Sequence, residues 1–234
     1  MKCTSYDECV EQYNQEISRL WKLEFDNAIK STENTSVKFK QFCFHVKQDE
    51  SPIWFFGMNP SLLDSTNEYI SRTTPPDKHL FEKLEEEQKY MHTKIQYFKK
   101  PKKFFINEVE SPKSVVPIFH DLYPVRHTNQ KEFVKFLEDN DDFCNSLDKA
   151  TKNLIDGIMP DIIVIANAKA SKLMQKIFFG RNEYNGETKL TYELDGKKTD
   201  MIFSSMLSGQ RALDTYSRSR LAREISETWK FRNN

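Results

Sequence analysis

The chain of 234 residues lacks several features that mark common classes of protein. Its four cysteines, Cys3, Cys9, Cys43 and Cys144, form neither a CxxC pair nor a Cys/His cluster with metal-ligand spacing. We therefore expect reduced thiols and a cytoplasmic protein. No apolar run approaches the ~20 residues of a membrane span, and no apolar signal-peptide core follows Lys2. The expectation is a soluble chain without a membrane partner.

An excess of charge of one sign is also missing. The chain has 35 Lys and Arg against 35 Asp and Glu, so its formal net charge is zero. The net charge therefore gives no support for nucleic-acid binding. A phosphate backbone nevertheless responds to a local patch of positive charge rather than to the net charge of the chain. Two stretches are candidates for such a patch: the four lysines within residues 99–103, next to Phe104 and Phe105, and the six Lys and Arg residues from Arg211 to Asn234. Such runs are more often solvated faces than phosphate sites.

Several catalytic motifs are absent as well. The chain has no G-x-S-x-G, no P-loop and no G-x-G-x-x-G. His120 and His127 bracket Asp121, which suggests a metal site, but a strand-end Asp beside a His more often belongs to a structural hydrogen-bond network. We expect neither a metal nor a cofactor.

What the chain does have is a series of apolar strands that end in small polar residues. Ile53–Phe56, Val115–Phe119 and Ile162–Ile165 are continuous apolar runs, which is typical of strands buried on both faces of a parallel sheet. A hairpin through Asp195-Gly196 is predicted to follow them. Helical patterns alternate with these strands. This alternation predicts a three-layer α/β sandwich around a mostly parallel, roughly four-stranded sheet.

The helical segments follow from apolar residues repeated every three or four positions. We predict one domain over residues 1–234, with an N-terminal helix and a bulged edge strand, Val37–Val46, both within about 1–48, packed on it. The predicted helices are 7–30, 80–100 (ended by Pro101), 130–137, 142–155, 168–178 and 215–231.

Two asparagines follow two of the buried strands. Asn59 comes shortly after Ile53–Phe56, and Asn167 follows Ile162–Ile165. Ligands of open α/β sheets bind beyond the carboxyl ends of the strands, and paired amides complement a nucleobase edge or another amide-like ligand. The alternative is structural: an ordinary strand-to-loop turn at Asn59, and a helix cap at Asn167.

Three islands of sequence resemble the uracil-DNA glycosylase superfamily, most closely its mismatch-specific uracil/thymine branch. They are Gly57-Met58-Asn59-Pro60-Ser61, Ile165-Ala166-Asn167-Ala168-Lys169 and Ser205-Met206-Leu207-Ser208-Gly209. Their order and spacing make the case, over the span from Ile53 to about Arg220. Leu207 stands where the branch has proline, and Arg211 is offset by about one residue from the arginine of the branch.

The resemblance implies a DNA glycosylase that acts without a cofactor on uracil or a related damaged or mismatched base in DNA. We expect it to be a monomer. The resemblance gives Asn59 the role of positioning the attacking water. It assigns base contacts to Gly57, Met58 and Asn167, and DNA contacts to Ser61, Met206, Ser208, Gly209 and Arg211. The aromatic that stacks on the base in this branch is not in register; Tyr69 or Phe81 are its substitutes, and core packing is the alternative for both. Two alternatives stay open: an inactive glycosylase-like module that binds nucleic acid or a protein, and a hydrolase of free nucleosides or nucleotides, which leaves the basic stretch near Arg211 unexplained.

Overall fold

The computed structural model describes residues 3–25, 27–28, 40–41, 50–58, 96–110, 115–127, 129–181, 186–207 and 213–233, which group into two compact units. The first unit contains α1 (Tyr6–Leu20, continued by a π-helical turn, Trp21–Phe25), β1 (Lys40–Gln41), β4 (Val125–Arg126), α3 (Gln130–Glu138) and α4 (Asp141–Ile158). The second contains β2 (Ile53–Gly57), α2 (Gln96–Glu108), β3 (Ile118–Asp121), β5 (Ile162–Ala166), α5 (Ala168–Phe179), β6 (Lys189–Leu194), β7 (Lys197–Ser204) and α6 (Thr215–Asn233).

The first unit is built on the pairing of α1 with α4. Ser5 caps α1, because its Oγ accepts a hydrogen bond of 3.3 Å from the backbone N–H of Glu8. The apolar stripe of α1 is buried, as its periodicity predicts. Of the predicted edge strand Val37–Val46, only β1 lies within the described residues. It pairs antiparallel with β4, with Lys40 opposite Arg126.

The second unit contains a five-stranded sheet in the order β3-β2-β5-β7-β6. β2, β5 and β7 are mutually parallel neighbours, whereas β6 is antiparallel to β7. The sheet therefore has five strands where roughly four are expected. The hairpin through Asp195-Gly196 is confirmed: it joins β6 to β7, and its two turn residues adopt φ values of 50° and 77°.

Helices of the second unit cover both faces of this sheet. Asp200 of β7 accepts a 2.7 Å hydrogen bond from Arg232, so α6 lies on the face to which Asp200 points. Thr191 is opposite Asp200 in the ladder and shares that face. Its neighbour Tyr192 therefore points to the other face, where it packs edge-on against Phe178 of α5 at 5.0 Å. Helix α2 packs on α6. The unit is thus an α/β arrangement with helices on both sides of a mostly parallel sheet.

The prediction that Pro101 ends a helix is wrong. Pro101 lies inside α2, which continues to Glu108. An interior proline costs a helix about 3 kcal/mol, but burial of a phenylalanine contributes roughly 1.5–3 kcal/mol. Phe104 and Phe105, only 0% and 2% exposed, together offset that cost. The same burial removes both rings from the surface, so they cannot stack on nucleic acid beside the lysines.

The expectation of reduced thiols is wrong for one pair, because Cys3 and Cys9 form a disulfide. The turn at Ser5 folds the chain back on the first turn of α1 and brings the two sulfurs together. Cys144 is not part of a disulfide, and its Sγ lies 3.9 Å from Tyr123 Oη. Cys43 lies outside the described residues. No helix within the described ranges is long and apolar enough to cross a bilayer.

Candidate functional site

The strand order contains one point at which the chain reverses direction across the sheet. After β2 the chain adds β3 on one side, and later it adds β5 on the other side. In open α/β sheets, the crevice beyond the carboxyl ends of the strands at such a switch point is the usual position of a ligand. The ends of β2 and β5 are therefore the primary candidate site of the second unit.

Two sequence islands meet at this switch point. The parallel register aligns Phe56 with Ile165. Met58 and Asn167, each two residues further along, therefore lie just beyond the ends of adjacent strands. Gly57 is the last residue of β2, and both it and Met58 are buried. Met58 is only 2% exposed, so its side chain is part of the core. Four residues that the resemblance assigns to the site lie outside the described part of the chain: Asn59, Ser61, Tyr69 and Phe81.

Asn167 is the N-cap of α5. One residue separates β5 from α5, and Asn167 occupies that position with an extended backbone, φ −161° and ψ 126°. Its Oδ1 accepts hydrogen bonds of 3.0 Å from Lys169 N–H and 3.1 Å from Ala170 N–H. The side chain is 6% exposed. The capping role considered from the sequence is therefore present in the structure, and it uses the acceptor half of the amide.

A serine one turn into α5 fixes the helix to two strand ends. Ser171 Oγ lies 3.4 Å from the carbonyl oxygen of Ile165 and 3.2 Å from that of Ser204, the last residue of β7. Ser171 is 3% exposed. This contact, together with the cap at Asn167, directs the N-terminus of α5 to the carboxyl edge of the sheet. Backbone N–H groups at a helix N-terminus carry partial positive charge.

The third island follows β7 and is only partly described. Met206 is half-buried, and its carbonyl oxygen accepts a 2.8 Å hydrogen bond from the N–H of Leu213, which precedes α6. Leu207 is 6% exposed and so belongs to the core. A side chain buried in this way is not available to press into a duplex. Ser208, Gly209 and Arg211, also assigned to DNA contact, lie outside the described residues.

Strand β3 is shifted along the chain from the predicted Val115–Phe119: it begins at Ile118, and His120 and Asp121 belong to it. His120 is buried, and its ring lies 5.0 Å from that of Trp54 and 5.2 Å from that of Phe56. These ring contacts extend the strand past its apolar run. Asp121 Oδ1 is buried and has no hydrogen-bond partner among the described residues. Burial raises the pKa of the Asp121 carboxyl to about 7.

His127 has a different environment from His120. Its Nε2 lies 3.4 Å from the Glu132 carboxylate, and burial lowers the pKa of the imidazole below its ordinary value. Within the described ranges, no three His, Cys, Asp or Glu side chains come together as a metal site. In the sequence Asp121 stands out only through its neighbouring histidines. The residue is half-buried, and the burial of its Oδ1 follows from its place in β3, which the apolar pattern alone does not indicate.

The basic C-terminal segment is largely neutralised by carboxylates from other elements. Arg218 pairs with Glu108 of α2, and Lys230 pairs with Glu110. Arg232, with a side chain only 16% exposed, bridges Asp200 and Asp161. Arg220 and Arg223 are exposed; within the described residues Arg220 has no carboxylate partner, and Arg223 has only Glu227 at 3.9 Å. The described positive patch is thus smaller than the sequence predicts.

The first unit has a groove of its own. It has a volume of about 870 Å³ and lies beside the N-terminus of α4. Its walls include Asp139, Asp141, Asp142 and Glu24, and among the described residues that line it the only cation is Lys149. An excess of carboxylates repels a phosphate backbone, so this groove is not a candidate for nucleic acid.

No protein-family model matches the chain, and no curated protein has a significant sequence match to it.

Proposed function

We propose that the chain is a DNA glycosylase that hydrolyses the N-glycosidic bond of uracil, or of a related damaged or mismatched base, in DNA. The observation that carries the proposal is the adjacency of β2 and β5 at the switch point of the sheet. Their carboxyl ends bear Gly57-Met58 and Asn167, two of the three islands that resemble the superfamily. A uracil-DNA glycosylase-like form of the α/β fold is part of the same proposal.

The chemistry suits neutral amides and backbone donors. When the bond between the sugar and the base breaks, its electron pair leaves with the base and the sugar becomes oxocarbenium-like. Asn59 would hold the water that adds to the sugar carbon, and strong general-base catalysis is not required for so electrophilic a centre. The N-terminus of α5, directed to the strand ends, would stabilise negative charge on the departing base.

Recognition of the base is assigned to the donor half of Asn167. The carbonyl oxygen of this side chain is engaged in the cap of α5. The Nδ2 hydrogens are donors, and they match a carbonyl oxygen of uracil or thymine. An extruded base at the switch point would present such an oxygen to the strand end.

One observation favours a second function, a non-catalytic module that binds nucleic acid or a protein. Leu207 is buried, although the resemblance assigns its loop to the duplex, and three cations of α6 are committed to carboxylates. Both features lower the expected affinity for duplex DNA, and neither affects the fold. A binding module predicts association without any release of base.

The test is incubation with oligonucleotides that carry uracil opposite guanine, thymine opposite guanine, uracil in a single strand, and a panel of further lesions. Abasic sites are then detected by strand cleavage in alkali. We expect base release by the wild type and its loss in Asn59→Ala, with DNA binding nearly intact, because a water-holding amide adds little to ground-state affinity. Asn107→Ala, at an exposed asparagine of α2, is the matched control. Binding without base release by the wild type on every substrate would establish the module instead.

A further inference from the structure

Strand β6 is an edge strand, and no other strand pairs with its outer side among the described residues. Lys189, Thr191 and Glu193 are exposed along it. Open edges of this kind pair readily with another strand, and proteins usually protect them. The sequence of β6, Lys-Leu-Thr-Tyr-Glu-Leu, contains neither proline nor glycine.

The hydrogen bonds of β7 determine which backbone groups of β6 face outward. Phe203 N–H donates to the carbonyl oxygen of Thr188, towards β6, whereas Asp200 N–H donates to Asp161, towards β5. Backbone groups alternate in direction along a strand, so those of residues 188, 190, 192 and 194 face β7. The N–H and C=O groups of Lys189, Thr191 and Glu193 therefore face the open edge.

The outward side of β6 is complementary to itself. If two copies of β6 run antiparallel with Thr191 opposite Thr191 of the second copy, Lys189 lies opposite Glu193 in both directions. Leu190 then lies opposite Tyr192, also in both directions. The three outward residues of each copy would form three hydrogen-bonded pairs, and opposite charges and an aromatic–aliphatic contact are favourable cross-strand pairs.

We propose that the chain forms a symmetric dimer through β6, with Thr191 at the two-fold axis and one continuous sheet across both copies. A two-fold axis requires a surface that matches itself, and the arrangement Lys189, Thr191, Glu193 satisfies this requirement in charge and in hydrogen bonding. This dimer departs from the monomer expected from the sequence. It is independent of the glycosylase proposal, because β6 lies at the opposite end of the sheet order from β2 and β3.

The surroundings of β6 favour the pairing. Glu193 Oε2 lies 3.4 Å from Lys198 Nζ on β7, so Lys189 of the second copy would complete a lysine–glutamate–lysine row across the interface. On the other face, Phe178 and Phe179 flank Tyr192, which keeps this ring in place for Leu190 of the second copy. Ordered side chains lose less entropy on association than mobile ones.

The test uses two charge reversals that cancel only in combination. Wild-type protein is expected to show a concentration-dependent dimer by sedimentation equilibrium. Glu193→Lys leaves two lysines at the outward positions and Lys189→Glu leaves two glutamates, so each variant alone should dimerise at least about tenfold more weakly. An equimolar mixture pairs lysine with glutamate at every position and should restore a heterodimer.

A backbone variant provides a second, independent readout. Thr191→Pro removes an outward N–H and leaves the backbone hydrogen bonds to β7 in place, although it loses the 2.6 Å bond that Thr191 Oγ1 donates to Asp200 Oδ1 of β7. It should abolish the dimer. Thr191→Val, which also loses the hydroxyl but keeps the N–H, is the matched control and should still dimerise. Circular dichroism establishes that each variant is folded. A wild type that is monomeric up to about 1 mM, a dimer that Thr191→Pro and both charge reversals leave intact, or a mixture without heterodimer would each overturn the proposal.

Discussion

A β-carbon added at Gly157 of α4 would stand 2.8 Å from Cys9 Sγ and closer still to Cys3 Sγ. The disulfide at the start of α1 thus occupies the space of a missing side chain. We predict that Gly157→Ala destabilises the protein by about 1–3 kcal/mol, although alanine is otherwise the better helix former by up to about 1 kcal/mol. Urea denaturation of the variant and the wild type measures the difference.

The control for this prediction removes the sulfurs. In a protein that carries Cys3→Ala and Cys9→Ala, the same Gly157→Ala exchange should be neutral or stabilising, because the helix preference then acts without the clash. An equal loss of stability in both backgrounds would show that contacts other than the disulfide require glycine here.

The doubly buried strands were the most predictable part of the fold. β2 and β5 are confirmed to within one residue of their apolar runs, because a strand covered on both faces needs apolar side chains at every position. Strand β3 begins three residues later and ends two residues later than the predicted Val115–Phe119. His120 owes its place there to the rings of Trp54 and Phe56, which are distant in sequence, and a local pattern contains no information about them.

The candidate site was predictable in its parts but not in its arrangement. That Asn167 follows a buried strand and precedes a helix is evident locally, and both its cap and its strand-end position follow from that. That β2 is the neighbour of β5 depends on the order in which strands assemble, which no local pattern encodes. The charge of α6 was overestimated for the same reason, since the carboxylates that pair with Arg218 and Arg232 lie on other elements.

Salt dependence of DNA binding tests the reduced positive patch. Arg220 and Arg223 are exposed on α6, and we predict that replacing both by alanine lowers the slope of log affinity against log salt by about 1.5, since each phosphate contact contributes roughly 0.7–0.9. Fluorescence anisotropy at several salt concentrations measures the slope. Replacing both by lysine retains the charges and should leave the slope nearly unchanged. An unchanged slope in the alanine variant would show that residues other than Arg220 and Arg223 contact the phosphates.

Asp121 should make stability depend on pH. Its pKa is raised from 3.8 to about 7 in the folded protein, so folded Asp121 retains a proton that the unfolded chain has already released. Between about pH 4 and 7 the unfolded state binds fewer protons, and stability therefore falls as the pH rises through this window, by up to about 4 kcal/mol. Asp121→Asn should lose this fall and exceed the wild type in stability at pH 8. Urea midpoints of both proteins from pH 4.5 to 8 provide the test, and parallel curves would contradict it.

The last prediction separates the two roles of Asn167. Asn167→Ala removes the cap and should cost about 0.5–2 kcal/mol of stability together with activity on uracil. Asn129 caps α3 in the same way, since its Oδ1 accepts from the N–H groups of Lys131 at 3.0 Å and Glu132 at 3.3 Å. Asn129→Ala is thus the matched control: a similar loss of stability is expected, with base release unchanged.

Asn167→Asp completes the argument, because aspartate retains the capping oxygen and removes the Nδ2 donors. The contribution of the cap to stability should be retained, whereas base release should fall by roughly tenfold to a hundredfold, as expected for the loss of a base contact of ~1–3 kcal/mol. Thermal denaturation and abasic-site formation, measured on the same preparation, distinguish the two effects. Full activity of Asn167→Asp on every base that the wild type accepts would rule out the base-reading role and leave the capping role of Asn167.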